Sequence, residues 1–193
     1  TGTTSVTLLT NALVVTGNLT TAATTDSLDI GALALTAVTL VHTGNIILIG
    51  SQTVTVTNPD INSGTFTYNG TAAYATVAPI ATYYNLTFNG IGGSWTFNAA
   101  LDVNNALTVT NGTAVLGVNS DVDGAVAVAS DAAATLNIVT YQLNVAGAWS
   151  VGALGVFTAG AGSTVVFDGT TQNLTSGGVD AGHDFVTLTI TGT

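Results

Sequence analysis

The segment Asn119-Ser120-Asp121-Val122-Asp123-Gly124 has the spacing most suggestive of chemistry. Oxygen ligands at the first, third and fifth positions, followed by Gly at the sixth, match the opening of a calcium-binding loop, where the Gly permits a sharp turn. Ser130 stands at the twelfth position, where such a loop carries a bidentate Glu, and Asp131 lies one residue further on. Asn58, Asp60 and Asn62 repeat the alternate spacing, with Gly64 one place late. The competing reading of both segments is an Asp/Asn turn. Ca2+ is the cofactor these residues suggest, and divalent cations would suit a chain with ten Asp and no Lys or Arg.

Other chemistries find less support. His42 and His183 are the only histidines, and no acid–His–nucleophile pattern, G-x-S-x-G elbow or phosphate loop accompanies them. A turn pair is the expectation for His183-Asp184. Polysaccharide lyases and hydrolases need clustered carboxylates or a cation to handle sugar acids, whereas the Asp here are scattered. The chain therefore reads as a non-enzyme. Asn-X-Ser/Thr sequons occur at Asn18, Asn69, Asn85, Asn111 and Asn173. Asn69 and Asn111, each before Gly, and Asn18 are the better glycosylation acceptors, although a Thr- and Asn-rich chain also produces sequons by chance. Trp95, Phe97, Tyr83, Tyr84, Trp149, Phe157 and Phe167 could form a glycan-binding face, but strand alternation assigns most of them to the core. Tyr83 and Tyr84 are adjacent, so on a strand they point to opposite faces and one is expected to be exposed.

The elements that hold these residues follow from composition. The 193 residues contain no Lys, Arg, Glu, Cys or Met and carry a net charge of −10. Nucleic acid is excluded as a partner, because phosphate binding rests on Lys and Arg. No apolar run approaches the roughly 20 residues needed to cross a bilayer, and an anionic surface would repel the chain. Ion pairs are not expected, so stability must come from packing and backbone hydrogen bonds. Thr, Val, Ala, Gly, Leu and Asn dominate. Branching at Cβ favours strands, Asn and Gly supply turns, and the usual helix formers are missing. The class is all-β. A chain without Cys or a tryptic site suits an extracellular setting. Thr1 follows no basic segment and apolar stretch, which leaves a removed signal peptide or an internal piece of a longer chain as alternatives.

A long period overlies the alternation. ALVVTGNLT from Ala12 aligns with ALDVNNALT from Ala100 at an offset of 88, and GTFTYNGT from Gly64 aligns with STVVFDGT from Ser163 at 99. LTFNG from Leu86 aligns with LTITG from Leu188 at 102. Two modules follow, 1–89 and 90–193, the second lengthened around 112–160, or alternatively one continuous solenoid. Thr191-Gly192-Thr193 repeats Thr1-Gly2-Thr3 at an offset of 190, the value that the offsets 88 and 102 together require, as expected of a tandem array.

The succession GTFTYNGT, YYNLTFNG, SWTFNAALDVNNALTVTNG and WSVGALGVFTAGAGSTVVFDGTTQNLTSG resembles bacterial extracellular β-strand-repeat proteins. These are large adhesin-like surface proteins whose repeats coil as parallel β-helices. The resemblance covers most of both modules and rests on composition and rhythm. It implies a cell-surface or secreted location and a scaffold role, and it transfers no site. Short strands with Gly and Asn corners independently suit a parallel β-solenoid, with tandem β-sandwiches as the alternative. Such a coil needs polar caps, yet Ser5, Val6, Thr7 and Leu8 at one end, and Val186, Leu188 and Ile190 at the other, are themselves strand-like. They predict assembly by backbone pairing of like ends, with copies of the chain as partners and a filament as product. An adhesin stalk or glycan-binding surface module is the alternative.

Overall fold

The computed structural model describes residues 3–192 except 79 and 81. Among them there is no helix, and parallel strands stack into a β-solenoid of about nine turns. The helical alternative fails locally: with Thr and Val at alternate positions the chain presents one apolar and one polar face only when extended.

Each turn contributes up to three strand segments, and the register between turns defines three faces. On the first face the inward positions run Val6, Leu28, Ile46, Phe66, Leu86, Leu107, Val126, Trp149 and Leu174. The step from turn to turn is irregular, from 18 residues between Leu28 and Ile46 to 25 between Trp149 and Leu174. The second face begins with Leu13, Leu35 and Val54. It resumes with Tyr74, Trp95, Ala114, Leu136 and Phe157. The third face carries Tyr83, Val103, Val122, Val145, Phe167 and Ile190. Two long strands, Tyr83–Phe97 and Asp102–Leu116, run through all three faces of their turns.

These columns converge on one core. Leu28 to Phe167 form a single buried cluster, and each large side chain so removed from water contributes about 1.5–3 kcal/mol before conformational entropy is charged against it. Aromatic residues fill the middle: Phe88 lies 5.3 Å from Trp95 and 5.8 Å from Phe97, and Trp149 meets Phe157 edge-on at 4.8 Å. Outside, amides stack along the coil as ladders. Asn105 donates to Asn85 Oδ1 at 2.7 Å, and Asn111 to Asn89 Oδ1 at 3.0 Å. At one corner Gly112 has φ +82°, and a Cβ there would lie 2.6 Å from the carbonyl oxygen of Gly90. Only glycine fits that stack.

The coil is continuous across the expected module boundary, since residues 89 and 90 fall inside the strand Tyr83–Phe97. The sequence offsets relate one face to another. Tyr68 lies on the first face and its match Phe167 on the third, as do Leu86 and Leu188. Of the terminal TGT match, Thr1, Gly2 and Thr193 lie outside the described residues.

Candidate functional site

Both ends of the coil leave apolar side chains exposed. In the first turn Ser5–Thr7 pairs, among the described residues, with Ser27–Asp29 alone. Leu8 N donates to Asp29 O and Thr4 O accepts from Ser27 N. Alternation therefore directs the backbone groups of Thr4, Val6 and Leu8 to the second turn and those of Ser5 and Thr7 outward. Val6 is 48% exposed, and an apolar mouth of about 340 Å³ opens between Val6, Leu8, Leu13, Leu19 and Leu28. At the far end Leu188–Ile190 pairs, among the described residues, with Thr164–Phe167 alone. Thr191 N donates to Phe167 O and Thr187 O accepts from Val165 N, so Leu188 and Ile190 turn their backbone groups outward. Ile190 is 75% exposed, and Leu174, Leu188 and Ile190 line a second opening of about 270 Å³. Val186, also in this last turn, is exposed.

The calcium-type motif is not a loop. Ser120–Val122 is a strand, with Asp121 and Asp123 projecting outward on either side of buried Val122. Asn119 accepts a hydrogen bond from Gln142 N at 2.9 Å through Oδ1. Asp121 stacks in register on Asp102, whose Oδ2 accepts from the Thr82 hydroxyl at 2.8 Å. Partial burial, reinforced by the charges of Asp123, Asp168 and Asp102, raises the Asp121 pKa. Among the described residues no group of three or more His, Asp, Glu or Cys is placed to hold a metal ion.

At the second motif Asp60 serves as a corner cap. Its carboxylate accepts from His42 N at 2.7 Å, Ser63 Oγ at 3.1 Å and Asn62 N at 3.1 Å, while Asn58 Nδ2 reaches Thr39 Oγ1 at 3.4 Å. Burial pushes the Asp60 pKa up, but these hydrogen bonds outweigh it and leave the carboxyl below its ordinary value.

The histidines are structural. His42 is buried between Thr21 and Thr65, a role the sequence did not indicate. His183 lies 2.7 Å from Asp180, not Asp184, and this is an ion pair when the ring is protonated, contrary to the expectation of none. Of the aromatics, Trp95, Phe97, Tyr83, Trp149, Phe157 and Phe167 are buried, which removes Tyr83 and Trp95 as ligand-facing groups. The Tyr83 hydroxyl lies 3.0 Å from that of Tyr68 and accepts from Ile80 N at 3.1 Å, and burial pushes its pKa up to about 12. Tyr84 is half-buried and lines a polar groove of about 500 Å³ with Thr43, Asn45, Asn62 and Thr65. Asn18 and Asn173 are exposed, and Asn69, Asn85 and Asn111 are half-buried.

Compared with known protein families, with curated proteins and with solved structures, the chain matches none.

Proposed function

We propose that this chain is a structural unit of an extracellular filament or surface coat, assembling end to end through the strand edges of its terminal turns and carrying out no catalysis. The observation that carries this reading is that both ends leave outward-facing backbone groups and an apolar core column open together. Unpaired strand edges over exposed Val and Ile are a template for another chain. The −10 charge spread along the coil keeps the sides apart in solution and directs association to the ends. A bacterial β-strand-repeat surface protein would use this architecture in the same way. Sedimentation velocity across a wide concentration range tests it: growth into large species supports assembly, and a constant monomer at high concentration rejects it.

A second reading, a glycan-binding surface module, draws on the neutral groove that exposes part of Tyr84 beside amides and hydroxyls. Retention on a neutral glycan array, abolished by Tyr84→Ala, would favour it.

A further inference from the structure

We infer that assembly is head to tail in one register, the last turn of one copy lying against the first turn of the next with Leu174 over Val6, Leu188 over Leu19 and Ile190 over Thr21. The inference rests on the end-to-end reading above and specifies the partner surface: a second copy of this chain.

Backbone phase is the first ground. In every parallel pair along the first face, the inward residue of one turn directs its N–H and C=O to the flanking outward residues of the next. Leu8 N donates to Asp29 O, Ile30 N to Ile47 O and Trp149 N to Asn173 O. By the same rule Leu174 points onward from the last turn, and Ser5 and Thr7 point backward from the first. Leu174 over Val6 therefore places donors opposite acceptors. On the third face Phe167 pairs with Ile190, leaving Ile190 pointing onward, while Thr21 is committed forward through Thr43 N to Thr21 O at 2.9 Å. Ile190 over Thr21 has the same phase. Both contacts thus use the same rotation of one copy about the axis.

Side-chain chemistry is the second ground. The mouth of the first turn is lined by the start of the core columns, Val6, Leu8, Leu13 and Leu19, and the opposite end offers Leu174, Leu188 and Ile190. These inward positions are uncharged, and the one carboxylate that also lines the first-turn mouth, Asp26, is engaged by Ala23 N at 3.0 Å. Two first turns meeting face to face would run their strands antiparallel, unlike every strand pair among the described residues.

The absence of native Cys makes the register directly measurable. Leu174 over Val6 places Thr175 beside Thr7, both exposed, at the inter-strand spacing of about 4.8 Å, within the Cα range a disulfide tolerates. The Thr7→Cys/Thr175→Cys chain, oxidised after assembly, is expected to give a ladder of covalent oligomers. It should exceed by at least roughly tenfold the cross-linking of Thr7→Cys/Thr171→Cys, whose second thiol is out of register. Ser5→Cys/Asn173→Cys reports the same register independently if the first variant is unstable. Filaments that form without cross-linking either in-register pair, or cross-link through Thr7→Cys alone, overturn this register and leave the assembly reading standing. Chains that sediment as monomers at every concentration overturn both.

Discussion

His42 Nδ1 lies 2.9 Å from the hydroxyl of Thr21, one turn away, while Nε2 lies 2.8 Å from the carbonyl of Thr65. Nε2 must donate to the carbonyl, whereas Nδ1 accepts from the Thr21 hydroxyl in the neutral ring and donates to it in the protonated one. The imidazole thus ties successive turns together near the open end. Burial accordingly lowers its pKa below the ordinary 6.5, against the raising effects of the Thr65 carbonyl and Asp60.

A depressed histidine contributes stability that is fully present above its unfolded value and is lost as pH falls through the folded one. Stability is therefore expected to fall progressively below pH 6.5 in the native chain and less steeply in His42→Phe. His42→Ala should cost about 2–4 kcal/mol at neutral pH, combining a cavity with two stranded polar groups. Denaturant melts across pH check both.

His183 has the opposite sign. Its Nδ1 faces Asp180 Oδ1 at 2.7 Å and its Nε2 faces the Gly152 carbonyl at 3.2 Å, so both nitrogens meet acceptors and the imidazolium satisfies both. The Asp180 hydrogen bond, then that of Gly152, raise its pKa, with Asp184 adding to the effect. Its contribution is present below pH 6.5 and is lost as pH rises through the raised value. NMR titration of the two rings should show His183 titrating above 6.5 and His42 below it. Asp180→Asn should return His183 toward its ordinary value and leave His42 unmoved.

Val139 is the one non-glycine residue with positive φ among those described, at 52°. Its N–H is held by Asn137 Oδ1 at 2.8 Å, and its carbonyl accepts from Gly160 N. A β-branched side chain there is strained by about 1–2 kcal/mol. Val139→Gly, and to a lesser degree Val139→Asn, is expected to raise the unfolding free energy by about 1 kcal/mol in urea titration.

Thr7 sends its backbone groups away from the second turn, so Thr7→Pro removes an edge donor while leaving the internal ladder intact. Its monomer should unfold within about 1 kcal/mol of the native chain and should fail to grow in sedimentation. Equal growth of the variant would show that the first-turn edge is not used.

The strand class and the parallel coil were legible because Thr and Val alternate almost everywhere, and period two leaves a single inward face per segment. The number of faces per turn was not. Corners differ in length, so the turn-to-turn step drifts between 18 and 25 residues, and no fixed repeat marks it. The matches at 88, 99 and 102 relate different faces of the coil: Tyr68 and Phe167 share a local pattern of strand, Asn or Asp, and Gly, and sit on the first and third faces. The Tyr83-Tyr84 pair resolved as alternation requires, whereas Asp121 lies on a strand paired on both sides, Asp123 directly follows that strand and Asp60 caps a corner. His42 could have been found from spacing, since Thr21 and Thr65 stand 21 and 23 residues away, each about one turn. That signal becomes readable only once the turn length is known.

X-ray fibre diffraction from concentrated, aligned protein tests the central claim most directly. Strands perpendicular to the growth axis predict a meridional reflection near 4.8 Å, with an axial repeat of about 43 Å for nine turns per copy. Material that yields only compact particles, or a meridional pattern lacking the 4.8 Å spacing, would contradict end-to-end growth of this coil.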